Sequence, residues 1–178
     1  MNRNYLDIIV IDNSSEALAL RTCLEWWGVI TRTFFIGKSQ DLVDILGGKE
    51  KLAPHILLMC HGVEGGIVLP ELVEEIAKQQ PYNKFLTPAN LAEFLKLDGQ
   101  IALSNGCKTG TKEFADTFLN AGAKAYIAPR GYPEGDASLF YALNFYYFLF
   151  AKNLSVNDAH NKAKLADLET ETFELFEK

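Results

Sequence analysis

The sequence predicts an α/β fold in which a largely parallel sheet is covered by helices on both faces. Segments with strand character alternate with helical segments along the chain, which is the order of a parallel sheet with crossover helices. The strand segments are nearly continuous apolar runs, as expected for strands that are buried on both sides. The chain has 178 residues, of which 48% are hydrophobic, enough to form one domain with a substantial core. We therefore expect a single domain over residues 1–178 and a sheet of five to six strands.

The individual elements follow from apolar runs, helical spacing and turn residues. Asp12, Asn13, Ser14 and Ser15 provide turn and N-cap residues after the first strand, and Thr87 with Pro88 is a typical helix start. The predicted strands occupy 5–12, 29–36, 55–60, 99–107 and 123–129. The predicted helices occupy 16–28, 39–48, 86–97, 111–122, 137–151 and a segment that begins near Ser155. The segment from Gly65 to Tyr82 is irregular, and a small hairpin with a short helix is expected there.

The most apolar stretch is the predicted helix "ASLFYALNFYYFLFA" at 137–151. It is too short to cross a membrane, which takes about 20 residues, and Asn144 interrupts it. We expect a helix that is buried on most sides, and any exposed aromatic residues on it predict a homo-oligomer interface.

Charge and cysteine content exclude several classes of function. The net charge is -6 and no cluster of Lys and Arg occurs, which argues against a nucleic-acid partner. The three cysteines show no CxxC spacing, so we expect no disulfide framework and no cysteine zinc site. This cysteine usage favours a reducing compartment and a cytoplasmic location. No signal peptide is recognisable, and no metal or cofactor is expected.

Two other α/β classes fit less well. A receiver-like signalling domain needs a phosphorylated Asp after the third strand and a Lys after the fifth, where this chain has His61 and Arg130. A nucleotide binder needs a glycine-rich phosphate loop after the first strand, and none follows it here.

The candidate chemistry lies at the ends of the predicted strands. Ligands of open parallel sheets bind at the carboxyl ends of the strands, and here these ends carry Asp12, His61-Gly62, Gly106-Cys107 and Arg130. If the third and fourth strands are neighbours, a histidine and a cysteine leave the sheet at the same edge. A thiol with an ordinary pKa of roughly 8.5 needs a base beside it, and histidine, with an ordinary pKa of about 6.5, suits that role. The pattern predicts a thiol nucleophile and its base.

The glycines beside these residues support the same hypothesis. Gly62 lets a backbone N–H approach a substrate, and that N–H together with the N–H of Cys107 can hold an oxyanion. Gly106 is expected to permit a sharp turn that lifts the thiol out of the strand. Cys60 and Cys23 are expected in the core. His55 is expected on the surface and His160 in solvent.

The order and spacing of these motifs resemble the caspase-like (clan CD) cysteine peptidases. His61-Gly62 precedes Cys107 by 46 positions, close to the roughly 50 that separate base and nucleophile in caspases. Within that family the pattern is similar to the CHAT branch, which includes separase relatives. The similarity covers about residues 56–166, and its stretches are "LLMCHG", "LTPANLAEFLKL", "IALSNGCKTG", "LNAGAKAYIAP", "FYALNFYYFLF" and "LSVNDAHNKAK". Gly106 stands where the family often has Ala, and Gly110 follows the cysteine later than in caspases proper, which suits the CHAT branch.

The resemblance implies a caspase-like three-layer sandwich and cleavage of peptide bonds, with His61 as base and Cys107 as nucleophile. It implies a protein or peptide substrate and a regulatory protein that would bind in trans. It also implies that an acidic residue after the fifth strand receives a basic substrate side chain. Glu134 occupies that place, and Asp136 is a neighbouring candidate, whereas Arg130 could instead receive an acidic side chain. A catalytically silent caspase-like interaction module remains the alternative.

Overall fold

The computed structural model describes residues 4–12 and 14–178, so the predicted cap residue Asn13 lies outside the described residues. The strands are β1 (Tyr5–Val10), β2 (Ile30–Phe35), β3 (His55–Met59), β4 (Gly62–Val63), β5 (Gly66–Val68), β6 (Phe85–Leu86), β7 (Ile101–Ser104), β8 (Ala125–Pro129) and β9 (Phe173–Glu177). Six of them form the central sheet, in the order β2-β1-β3-β7-β8-β9. Its first five strands are parallel, and β9 pairs antiparallel with β8.

Helices cover both faces of this sheet, which confirms the predicted mixed α/β architecture. They are α1 (Ser14–Trp26), α2 (Ser39–Asp44), α3 (Glu74–Ala77), α4 (Pro88–Phe94), α5 (Lys112–Asn120), α6 (Gly135–Tyr146) and α7 (Val156–Ala163). Helices α2, α4 and α5 pack on one face together with Leu58, whereas α1, α6 and α7 pack on the other together with Leu57. Neighbouring residues of β3 therefore enter different cores, because successive side chains of a strand point to opposite faces.

The irregular segment after β3 contains the predicted hairpin and short helix. Strands β4 and β5 form an antiparallel hairpin, and β6 adds to its other edge to give a small second sheet. Helix α3 lies between β5 and β6 and buries none of its residues. The insertion begins directly at Gly62, so it is joined to the end of β3 that carries the predicted base.

The structure differs from the prediction in one added strand and in the start of α6. Strand β9 was not predicted, and it adds the sixth strand antiparallel to the edge at β8. Helix α6 begins at Gly135 with Glu134 as its N-cap, two residues before the predicted start. Beyond Tyr146 the helix continues as a π-helical turn at Tyr147–Ala151.

The aromatic helix is buried as predicted. Tyr141, Phe145 and Tyr146 of α6 are at most 1% exposed, and Tyr141 stacks on Phe173 of β9 with ring centroids 3.7 Å apart. On the same helix, Phe140 is half exposed. Within the described ranges, no helix is both long enough and apolar enough to span a membrane.

Two histidines that were expected on the surface are largely withdrawn from solvent, His160 being buried and His55 half-buried. His55 begins β3 and packs edge-on against Phe150, with centroids 4.9 Å apart, and its buried Nδ1 has no hydrogen-bond partner among the described residues. His160 of α7 is 5% exposed, and its Nδ1 lies 2.6 Å from the Tyr141 hydroxyl. Burial lowers the pKa of both imidazoles to about 4. Both partners come from α6 or its π-helical extension, which the local sequence around each histidine does not reveal.

We expect Phe145→Ala to lower the free energy of unfolding by about 3–5 kcal/mol, because it removes a fully buried ring from the core. Phe140→Ala on the same helix is the matched control and should change it by less than about 1 kcal/mol. Urea unfolding of the three proteins measures both values. Equal losses for the two variants would contradict the burial of α6.

Burial of neutral His55 also predicts a loss of stability in acid. In the unfolded chain the imidazole gains a proton near its ordinary pKa of about 6.5, whereas in the folded protein its pKa is about 4. Between these values the unfolded state binds more protons, so the free energy of unfolding falls as the pH falls from about 6.5 to 4. Urea unfolding at a series of pH values should show a shallower fall for His55→Phe. A fall as steep in His55→Phe as in the wild type would contradict the burial of the neutral ring.

Candidate catalytic site

Three adjacent parallel strands deliver three chemically active side chains to one edge of the sheet. Strand β3 lies between β1 and β7, with Val10 opposite Met59 and Leu58 opposite Ser104. Asp12 lies two residues after Val10, and His61 lies two residues after Met59. Likewise, His61 lies three residues after Leu58, and Cys107 lies three residues after Ser104. The register therefore places these three residues next to one another along this edge of the sheet, with His61 in the middle.

The main chains after β3 and β7 touch each other at Gly62 and Cys107. A Cβ atom built on Gly62 would overlap the carbonyl oxygen of Cys107 and lie 2.9 Å from its backbone nitrogen. Any other residue than glycine would push the two segments apart. Because His61 directly precedes Gly62, this contact holds the backbone of the predicted base beside that of the predicted nucleophile.

A buried amide ties the same two segments together. The Asn105 side chain, 4% exposed, accepts a hydrogen bond from the backbone N–H of Cys60 at 3.0 Å. Its amide nitrogen lies 3.4 Å from a carboxylate oxygen of Glu16 in the first turn of α1. Asn105 thereby links the end of β3, the end of β7 and the start of α1. Asn105 was not among the predicted site residues, because a single Asn before a glycine is typical of an ordinary turn.

The turn that carries the thiol is strained at Lys108. The sequence analysis placed the sharp turn at Gly106, but the left-handed residue is Lys108, with φ 60°. A non-glycine residue in this region costs of order 1 kcal/mol or more and has to be held by its surroundings. The backbone N–H of Lys108 donates to the carbonyl of Gly131 at 2.9 Å, and its ammonium lies 5.2 Å from the centre of the Tyr132 ring. The segment after β8 therefore fixes the turn after β7.

The Cys107 thiol is held in its neutral form. Its sulfur donates to the carbonyl oxygen of Pro133 at 3.7 Å. Partial burial raises the pKa of the thiol above its usual range, and the negative charge of Glu134 raises it further, although the backbone N–H of Cys107 opposes this. At neutral pH the thiol therefore needs a base in order to become a nucleophile.

His61 and Asp12 lie on the open side of the site. His61 Nε2 is 4.0 Å from Asp12 Oδ2, and the two side chains are 58% and 71% exposed. At this distance no hydrogen bond joins the two side chains, so Asp12 lies near the ring on the β1 side without fixing its orientation.

The other cysteines do not compete for this role. Cys60 is buried as predicted, and burial raises the pKa of its thiol to about 12. Cys23, on α1, is half buried. In the described part of the chain, no group of three His, Cys, Asp or Glu side chains could hold a metal ion.

The three residues proposed for substrate selection occupy different surroundings. Glu134 is an exposed N-cap whose backbone N–H donates to Glu169 at 2.6 Å. Asp136 is exposed in the first turn of α6 and accepts the backbone N–H of Ala137 at 2.8 Å. Arg130 forms an ion pair with Glu174 of β9 at 2.9 Å and not with Glu134. Its guanidinium also lines a cavity of about 650 Å³ with Lys112 and Phe176.

One carboxylate near the site was missed altogether. Glu16 is half buried, and burial raises its pKa while the nearby His61 lowers it. In the sequence it reads as an acidic residue that stabilises a helix N-terminus. Only the three-dimensional contacts distinguish it from such a residue.

Comparison with known proteins finds similarity in structure rather than in sequence. No family model matches the chain, and no curated protein matches it. The separase chain of a Saccharomyces cerevisiae separase–securin complex is similar with a TM-score of 0.64 at 12% identity, over 99% of this chain and 12% of that chain. A second crystal structure of that complex gives a TM-score of 0.63 at 10% identity, over 98% of this chain and 12% of that chain. A structure described as a protease gives 0.58 at 12% identity, over 97% of this chain and 47% of that chain. The fold is therefore caspase-like, as in separase.

The contact between Gly62 and Cys107 can be tested without any substrate. Gly62→Ala should lower the free energy of unfolding by about 1–3 kcal/mol, because the added methyl group forces the ends of β3 and β7 apart. Gly37→Ala is the control, since the nearest atom to its Cβ would be 3.8 Å away, and it should change stability by less than about 1 kcal/mol. Urea unfolding measures both, and a neutral Gly62→Ala would show that the two segments are not in contact.

Proposed function

We propose that the protein is a cysteine endopeptidase in which His61 is the general base and Cys107 the nucleophile. The observation that carries the proposal is the in-register arrangement of the ends of β3 and β7, with the main chain of Gly62 against that of Cys107. Structural similarity to separase and to a protease supports the same class of reaction. The spacing from Cys107 to Gly110 favours the CHAT branch of the caspase-like peptidases.

The chemistry follows from the groups at this edge. His61 takes the proton of the Cys107 thiol, and the sulfur attacks the carbonyl carbon of the scissile peptide bond. The backbone N–H groups of Gly62 and Cys107 stabilise the negative oxygen of the tetrahedral intermediate. The imidazolium then gives its proton to the leaving amine, and water hydrolyses the thioester with His61 again acting as base. A closer approach of Asp12 to the ring would orient it during these proton transfers.

The substrate is a protein or peptide, and cleavage follows a basic residue. The carboxylates on the α6 side of the thiol, Glu134 and Asp136, favour a cationic side chain. The pairing of Arg130 with Glu174 argues against an acidic substrate residue at Arg130. A regulatory protein that acts in trans is part of the proposal, since the similar separase was crystallised with securin. Self-association through α6 stays a prediction, with Phe140 as the exposed candidate contact.

A catalytically silent interaction module is the second candidate, and one observation favours it. The thiol is engaged by the carbonyl of Pro133, and its pKa is raised rather than lowered. In this alternative the site keeps its residues but does not form a nucleophile.

A thiol-reactive peptide warhead separates the two candidates. An endopeptidase should be labelled at Cys107, and labelling should disappear in Cys107→Ala and fall by about 100-fold or more in His61→Ala, as expected for loss of a general base. Cys23→Ala is the control and should react as the wild type does. Mass spectrometry of the labelled peptides identifies the site. Equal labelling of Cys23 and Cys107, unaffected by His61→Ala, would support the silent module.

A further inference from the structure

The turn that carries Cys107 contacts a network of buried hydroxyl groups on its inner side. Ser104, Thr109 and Tyr126 are fully buried. The hydroxyl of Thr109 donates to the carbonyl of Gly106 at 2.7 Å, and its oxygen lies 3.0 Å from the Ser104 hydroxyl. The Tyr126 hydroxyl donates to the backbone carbonyl of Thr109 at 3.0 Å. Because buried hydroxyl groups are costly unless they are paired, these bonds hold the turn in one conformation.

The direction of each hydrogen bond follows from the number of protons. The hydroxyl of Thr109 has a single proton, and the Gly106 carbonyl takes it. At its contact with Ser104, the Thr109 oxygen is therefore the acceptor and the Ser104 hydroxyl is the donor. The Ser104 oxygen in turn accepts the backbone N–H of Gly106 at 3.3 Å. Ser104 thus fixes the Thr109 proton in the direction of the Gly106 carbonyl.

This carbonyl belongs to the same peptide unit as the N–H of Cys107. Every peptide bond in the described residues is trans, so the C=O and N–H of this unit point in opposite directions. Thr109 holds the carbonyl on the buried side, through its hydroxyl and through its backbone N–H at 3.3 Å. The N–H of Cys107 therefore points away from the core, beside Gly62, and no backbone carbonyl of residues 4–12 and 14–178 accepts it. This N–H also lowers the pKa of the Cys107 thiol, which places it close to the sulfur.

Tyr126 of β8 gives the network a rigid support. Its ring stacks on Phe118 of α5 with centroids 4.3 Å apart, and on Phe176 of β9 with centroids 6.5 Å apart. A ring packed in this way cannot move its hydroxyl without disturbing the core. The main chain of Thr109 is therefore held by β8, while its side chain holds Gly106.

We infer that Thr109, held by Ser104 and Tyr126, is a positioning residue that aims the backbone N–H of Cys107 at the negative oxygen of the tetrahedral intermediate. This rests on the proposed peptidase function and deepens it. Thr109 touches neither the substrate nor the reacting atoms, and it acts through the peptide unit between Gly106 and Cys107. The thiol and His61 do not depend on its hydroxyl.

The test compares two reactions of the same thiol. Iodoacetamide alkylates the sulfur by displacing iodide from a CH₂ carbon, so no oxyanion forms. A peptide p-nitrophenyl ester acylates it through a tetrahedral oxyanion: the S–C bond forms, the bond to p-nitrophenolate breaks, and His61 takes the thiol proton. Three esters with Arg, Leu or Asp before the carbonyl make the result independent of substrate preference. Peptide mass spectrometry measures both rates at Cys107.

Thr109→Val keeps the side-chain volume and removes the hydroxyl. Acylation should fall by about 10- to 100-fold, somewhat less than for complete loss of an oxyanion donor. Alkylation should stay within about threefold, with the pH profile of the wild type. Thr109→Ser restores the hydroxyl and should acylate within about threefold of the wild type. Tyr126→Phe, which keeps the ring, should slow acylation by about 3- to 10-fold, as for loss of one neutral hydrogen bond.

Thr33→Val is the matched control, because it removes a buried hydroxyl that has no hydrogen-bond partner in the described part of the chain. It lies on β2, outside the site, and both of its rates should equal those of the wild type.

The outcomes distinguish this inference from the function beneath it. Unchanged acylation in Thr109→Val and Tyr126→Phe would overturn the role of Thr109. Acylation and alkylation that fall together would also overturn it, since Thr109 would then hold the thiol and not the N–H. In both cases, wild-type acylation of Cys107 that depends on His61 would leave the peptidase assignment standing. Failure of all three esters to acylate Cys107 in the wild type would overturn both.

Discussion

The close approach of the main chains at Gly62 and Cys107 is the constraint on which the candidate site depends. It exists because β3 and β7 are neighbours, are parallel and leave the sheet in register. It persists because Asn105 accepts the N–H of Cys60 and so fixes one segment to the other. A side chain at position 62 would break the contact, and a shift in register would carry His61 or Cys107 to the wrong face. The hairpin β4–β5 begins at the same glycine, so the second sheet is also positioned by this contact.

The charges around the thiol and the imidazole depend on where each acidic residue lies relative to the contact between Gly62 and Cys107. Glu134 faces the thiol from the α6 side and, together with burial, keeps it protonated. Asp12 approaches the imidazole from the β1 side. The thiol is neutral and hydrogen-bonded to Pro133, so it does not form an ion pair with the imidazole. Under the proposed function, His61 would therefore act as a general base once a substrate displaces that hydrogen bond.

Much of this arrangement could be predicted from the sequence. The parts that could not be predicted depend on contacts between residues that are far apart along the chain. Buried parallel strands give continuous apolar runs, so β1, β3 and β7 were recognisable, and with them the strand ends that carry His61 and Cys107. Strand β9 was missed, because Phe173–Glu177 follows a 3₁₀ turn near the chain end and has its partner in β8. The burial of His160 depends on Tyr141, which lies 19 positions away.

The difference in burial between Glu16 and Glu134 also depends on contacts between distant segments of the chain. In sequence both are acids at the start of a helix that follows a strand, and the resemblance to the separase-like branch made Glu134 the candidate for receiving a basic side chain. In the fold, the residue after Glu134 is a glycine whose missing side chain makes room for Glu16, while Glu134 itself stays in water. The burial of Glu16 results from the contact of three chain segments, so the sequence of any one segment does not predict it. Since a fold shared at 12% identity conveys architecture and not chemistry, the surroundings of each acid at this edge have to be read from such contacts.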